Sequence, residues 1–145
     1  VNVMNPSMKR LSLCIAVLSL LSASASAHCR TLTKRICLPV LEGYVQNDNY
    51  NSAVLIAGDE AELSVTFLPS TEYRVAVCAH PVLGDVTFDI LDQQGIRIWS
   101  NSNGEDHVDF SLQHAQRLRF RIQVPDTDAA ILHEGCVSLL VGSKD

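Results

Sequence analysis

Residues 53–79 read AVLIAGDEAELSVTFLPSTEYRVAVCA, and this stretch decides the fold. Leu63, Val65 and Phe67 alternate with Glu62, Ser64 and Thr66. Tyr73, Val75 and Val77 then alternate with Arg74, Ala76 and Cys78. Apolar residues at period two, many of them β-branched or aromatic, mark strands with one face on a core. Gly58-Asp59 and Pro69-Ser70-Thr71 supply the turns between three such strands.

The same rhythm continues downstream. Val86, Phe88 and Ile90 alternate with Thr87 and Asp89, and Asp92-Gln93-Gln94-Gly95 forms a hairpin turn with Gly95 suited to a left-handed position. Ile96 and Ile98 are expected to continue inward, which leaves Trp99 facing outward at a strand end. Val108, Phe110 and Leu112 form the next strand, and Leu118, Phe120, Ile122 and Val124 the one after. Residues 125–134 make a long acidic loop, and Val137, Leu139 and Val141 close the chain. Strands at intervals of about 8–12 residues predict an all-β fold, an antiparallel sandwich of jelly-roll type with about eight strands.

The N-terminus reads differently. Met8 is followed by Lys9 and Arg10, the apolar run Leu11 to Leu21, and Ala25-Ser26-Ala27. A basic start, a short apolar run and a small-x-small end predict a secretory signal peptide within residues 1–27, with Val1 to Ser7 upstream of its start. The apolar run is too short to span a bilayer. Cleavage after Ala27 exposes His28, and cleavage after Ala25 is the alternative. His28 stands where a small residue must precede a lipidated cysteine, which argues against Cys29 as a lipid anchor. Residues 28–145 are then expected to form a single exported domain, in the periplasm or at the surface of a bacterium. No transmembrane segment is expected in it. Of 11 basic residues Lys9 and Arg10 fall in the leader, leaving 9 against 16 acidic residues, a balance of −7. Such a surface repels nucleic acid and anionic lipid.

Cys14 leaves with the leader, so Cys29, Cys37, Cys78 and Cys136 remain, an even number in an exported chain. Two disulfides are expected, with three possible connectivities. Cys29, Leu32, Ile36 and Val40 follow helical spacing, with Thr31, Thr33, Lys34 and Arg35 on the other face. Pro39 is expected to kink or stop this short helix near Leu38. A helix through Cys37 separates Cys29 from Cys37 by about 12 Å, beyond disulfide reach. Cys78 and Cys136 lie off the core parity, beside Ala76 and Leu140. The helix is therefore expected to cover that outer face, with Cys29 and Cys37 bonded to Cys78 and Cys136. Residues 42–52 read as a polar loop.

Several constellations carry side chains suited to binding or catalysis. His28 at a free N-terminus could chelate copper with a second imidazole from His80, His107, His114 or His133. Asn101, Asn103, Glu105, Asp106 and Asp109 gather oxygens suited to calcium, without EF-hand spacing. Arg117, Arg119 and Arg121 share one face of a strand, where they could grip an anionic glycan or simply pair with acids across the sheet. Trp99 with Tyr44 and Tyr50 could stack against sugar rings, or Trp99 could pack beneath a neighbouring element. No GxSxG elbow, HExxH or HxH spacing marks a hydrolase.

The phrases VLIAGDEAELSVTF, TEYRVAVC, GDVTFDILDQQGIRIWSN and GCVSLLVG together resemble a family of small exported bacterial β-sandwich proteins of unassigned function. The strand rhythm is also similar to the pre-peptidase C-terminal (PPC) type of β-sandwich appended to secreted enzymes. The chain departs from the latter by standing alone and by its four cysteines. The resemblance implies a fold, and it carries no catalytic residues over. The expectation is a non-enzymatic, exported binding or accessory module whose partner is an envelope protein or a glycan. A metal-binding or glycan-binding protein is the alternative, and a hydrolase the third reading.

Overall fold

Two antiparallel sheets face each other across an apolar core in the computed structural model, which describes residues 29–47, 51–101 and 104–144. The strands are β1 (Val45–Gln46), β2 (Asn51–Leu55), β3 (Glu60–Phe67), β4 (Glu72–Ala79), β5 (Thr87–Leu91), β6 (Arg97–Ser100), β7 (His107–Ser111), β8 (Gln116–Gln123) and β9 (Gly135–Lys144). One sheet runs β1-β9-β4-β7, with β2 also paired to β9; the other runs β3-β8-β5-β6. The expected leader, residues 1–27, lies outside the described residues.

Alternation decides which side chains meet between the sheets. Phe67, Val75, Val77, Phe88, Phe120, Ile122, Leu139 and Val141 are buried there together. Phe67 is the hub, with ring centroids 4.9 Å from Tyr73, 5.0 Å from Phe110 and 6.0 Å from Phe120, all edge-on. Aromatic pairs in that geometry add to the free energy of area burial. Gly58 and Gly95 take the positive φ their turns require, 84° and 81°.

Strand β6 corrects the expected parity. Ile96 and Ile98 are 62% and 55% exposed, while Trp99 turns inward. The β5–β6 ladder shifts register between Ile90 and Leu91, which sets Trp99 opposite Ile90 and its ring 5.0 Å from Phe88. A bulge of this kind re-aims every side chain that follows it. The short strand β1, within the expected 42–52 loop, pairs with the far end of β9.

The N-terminal helix, α1, covers the outer face of the β4–β9 pair as expected. Helical residues 29–32 run into a π-turn, Thr33–Cys37, and close with an α-turn, Leu38–Val40. The helix changes from π to α at Leu38 and ends at Val40, close to the break expected near Leu38. The wider π-turn ahead of Pro39 supplies the slack that a missing N–H and a bulky ring demand. The same turn changes the inward face to Cys29, Thr33, Cys37 and Leu41. Ile36, expected inward, is exposed, and Thr33, expected outward, is fully buried. Cys37, Leu41, Ala76, Cys78 and Leu140 form the apolar contact between helix and sheet.

Among the described residues one disulfide is formed. Cys29 is bonded to Cys136, tying the start of α1 to the start of β9, with Cα atoms 5.3 Å apart. Cys37 and Cys78, expected in a second disulfide, are free buried thiols facing one another, the Cys78 thiol in a hydrogen bond with Cys37. That bond, and after it burial, push the Cys78 pKa well above the ordinary thiol value.

Candidate functional site

Three connections meet at the end of the sandwich where β9 begins. The β2–β3 turn is held by the Ile56 N–H donating to Asp59 Oδ2 at 2.9 Å, and the Gly58 N–H donates to the Pro125 carbonyl at 3.3 Å. In the β4–β5 link, the His80 N–H donates to the Cys136 carbonyl at 2.8 Å, and His80 Nδ1 accepts from the Val82 N–H at 3.2 Å. That pair caps the 3₁₀ turn Pro81–Leu83, whose Leu83 is buried against Gly135. The third connection, residues 124–134, is anchored by the Val124 N–H donating to the Asp59 carbonyl.

Four large exposed apolar side chains belong to these three connections. Ile56 follows Leu55, the ladder partner of Gly135; Val82 packs beside Gly135; Ile131 and Leu132 precede it by a few residues. Their exposures are 37%, 44%, 70% and 49%. The same three connections carry Asp59, Asp85, Asp126, Asp128 and Glu134, and neither lysine nor arginine. The result is an apolar tip in an acidic frame, on loops positioned by a rigid scaffold. Exposed apolar groups gathered in this way mark interaction surfaces. Sequence reading noted the acidity of residues 125–134 but missed the tip, because Ile56 and Val82 reach it through β9 pairing.

The other candidates are placed as follows. Asn101 is buried and structural: its Oδ1 accepts from the Phe88 N–H at 2.8 Å and its Nδ2 donates to the Glu105 carbonyl at 3.1 Å. Asp109 is held by Arg74, and Asp106 by His107. Asn103 lies outside the described residues, as do His28 and Tyr50. Among the described residues, no group of three or more His, Cys, Asp or Glu side chains could hold a metal ion.

Trp99 and Tyr44 are not brought together. Trp99 belongs to the core, whereas Tyr44 lies against Arg74, 4.6 Å from guanidinium carbon to ring centre. The Tyr44 hydroxyl donates to Glu72 at 2.9 Å. Desolvation, then that bond and the charges of Asp109 and Glu72, push its pKa up to about 12.

The arginine row on β8 does lie on one outer face. Arg121 pairs with Glu62 at 2.9 Å and Glu60 at 3.4 Å, which raises its pKa, chiefly through the Glu62 bond. Arg119 reaches Glu62 only at 3.8 Å, and its buried Nε makes no hydrogen bond. Arg117 is exposed opposite Thr66. Compensation thus fades along the strand, beside a shallow groove of about 300 Å³ lined by Ser64, Asp92, Arg117 and Arg119.

Three hydroxyls form a chain, with Thr33 and Ser138 buried and Ser52 at its exposed end. Ser138 Oγ lies 2.6 Å from Thr33 Oγ1 and 2.7 Å from Ser52 Oγ, and Thr33 Oγ1 also donates to the Cys29 carbonyl at 2.8 Å. None of the three is bonded to a histidine. Among the described residues no helix is long and apolar enough to cross a membrane.

The chain matches no protein-family model and no curated protein. Solved structures do match. One is PliG of Aeromonas hydrophila, a periplasmic inhibitor of g-type lysozyme, at 11% identity over 71% of this chain and 90% of that one, with a TM-score of 0.51. Another is a de novo designed double-stranded β-helix, at 20% identity over 66% of this chain and 99% of that one, with a TM-score of 0.33. What this chain shares with PliG, at so low an identity, is the fold.

Proposed function

We propose that this chain is an exported, non-enzymatic binding module whose loop end docks onto a basic protein. The observation that carries the reading is the apolar tip of Ile56, Val82, Ile131 and Leu132 within a frame of acids and no lysine or arginine. Apolar anchors supply affinity once water is excluded, and the surrounding charge selects and steers a partner of opposite sign. The acidic balance of the whole chain, −5, acts in the same direction. A fold shared with a protein that inhibits a lysozyme supports a protein as the partner, and makes lysozymes the first class to try.

The test is titration of the exported protein against purified lysozymes, g-type first, and against basic proteins recovered from envelope extract. Ile131→Ser with Leu132→Ser removes apolar area at constant charge and should weaken binding at least about tenfold. Asp126→Asn with Asp128→Asn should instead slow association and flatten its salt dependence. Failure to bind any basic protein, or binding indifferent to both pairs of substitutions, would overturn the reading.

A second reading rests on a different observation: Arg117 is exposed, has no ion pair among the described residues, and lines the groove with Arg119. There we infer a subsite for a carboxylated glycan. Retention of the protein on polyuronate, lost in Arg117→Gln, is the expected result; equal retention of variant and wild type excludes it.

A further inference from the structure

Cys37 and Cys78 come from different elements and meet side chain to side chain. Cys37 ends the π-turn of α1, and Cys78 lies on the outer face of β4, opposite Ser138 of β9. Leu41, Ala76 and Leu140 pack around them. The Cys29–Cys136 bond already fastens the same helix to β9. The chain entropy of bringing the two thiols together is therefore spent in folding, and an exported chain meets oxidising conditions.

The two thiols differ in access. Cys37 is fully enclosed, whereas Cys78 is 6% exposed and lines an open cavity of about 500 Å³ with Ile36, Asp85, Val86, Asn101 and Asp106. Cys37 does not line that cavity. We infer that Cys37 and Cys78 form a second disulfide in the exported protein, closed by exchange with a small-molecule disulfide that enters through Cys78.

The exchange balances as follows. Cys78 loses its proton, a step its raised pKa makes slow, and attacks one sulfur of the donor, whose other sulfur leaves as a thiolate and takes up that proton. Cys37 then loses its proton and attacks the Cys78 sulfur of the mixed disulfide, expelling the second donor thiolate. The donor ends as two thiols, reduced by the two electrons that the protein loses in making its S–S bond. The acidic lining of the cavity favours a cationic donor, so cystamine is expected to react faster than oxidised glutathione.

Peptide mapping of protein recovered from an oxidising compartment, denatured and alkylated without reductant, tests the inference directly. A linked Cys37–Cys78 peptide with neither residue alkylated is expected. Alkylation of both overturns it. Single variants test the order: folded Cys37→Ser should accumulate a cystamine adduct at Cys78, and folded Cys78→Ser should leave Cys37 unmodified. Equal reactivity of the two variants overturns entry through Cys78. Closing the bond should raise Tm by about 10 °C relative to protein with only Cys29–Cys136; an unchanged Tm overturns its structural role.

Discussion

Arg74 and Asp109 sit directly opposite each other on β4 and β7, and the guanidinium grips the carboxylate with two bonds of 2.7 Å, Nε to Oδ1 and Nη2 to Oδ2. The remaining Nη1 of Arg74 donates to the Val40 carbonyl at 3.0 Å, where α1 ends. One side chain thus joins the edge strand, the sheet and the helix that covers it. A planar fork with donors on two sides suits this role, and a lysine could not reproduce it.

The Arg74 bond, foremost, holds the Asp109 carboxyl below the usual carboxylate range. A depressed folded-state value stabilises the fold above the unfolded pKa of about 4, and the contribution is lost as pH falls through the lower folded value. Asp109→Asn should therefore lower stability at neutral pH, and the gap from wild type should close below about pH 4. The carboxylate is 37% exposed, so screening limits the effect to about 1 kcal/mol. Urea denaturation at a series of pH values checks both size and sign; a gap that widens in acid would refute the assignment.

The Thr33–Ser138 contact is the polar tie between α1 and β9, fully buried at both ends. Thr33→Val keeps the shape and removes the hydroxyl. Ser138 keeps Ser52 as a partner, so the loss should be about 1 kcal/mol rather than the larger cost of a stranded group. Chemical denaturation measures it, and faster hydrogen exchange confined to α1 would locate the effect.

What the sequence made legible followed from periodicity, and what it hid followed from breaks in periodicity. Leu63, Val65 and Phe67, or Leu118, Phe120 and Ile122, take their faces from a two-residue repeat that nothing interrupts. The covering of β4 and β9 by a helix was readable because Cys78 and Cys136 sit off the core parity in apolar company. Trp99 was misplaced because the register shift between Ile90 and Leu91 leaves no trace in composition. Thr33 and Ile36 exchanged faces because a π-turn replaced the α-helical period assumed for them. The loop-end tip was invisible for another reason: its residues come from three connections, distant in sequence, that meet through pairing with β9 and through the Gly58–Pro125 and Val124–Asp59 bonds.

Gly135 offers a test that links packing to the proposed docking end. A Cβ there would stand 2.8 Å from Leu83 Cγ and 3.1 Å from Val82 Cγ1. Leu83 is buried and cannot swing away, so Gly135→Ala should displace the Pro81–Leu83 turn at a cost of about 1–3 kcal/mol. Val82 moves with that turn, so partner binding should weaken even where the variant remains folded. Calorimetry and titration on the same sample separate the two effects.

The parity of β6 is tested most sharply by paired substitutions on adjacent residues. Trp99 packs its ring 5.0 Å from Phe88 and is half-buried against the core, so Trp99→Ala should cost about 3 kcal/mol in lost packing. Ile98, its neighbour, is 55% exposed, and Ile98→Ser should fall within about 0.5 kcal/mol of wild type. Trp99 is the chain's single tryptophan, so its fluorescence reports the same site directly. A blue-shifted emission that moves to the red on unfolding is expected from an indole held against Phe88. A reversed order of the two stabilities would mean that Ile98 faces inward, and that the register shift after Ile90 is wrong.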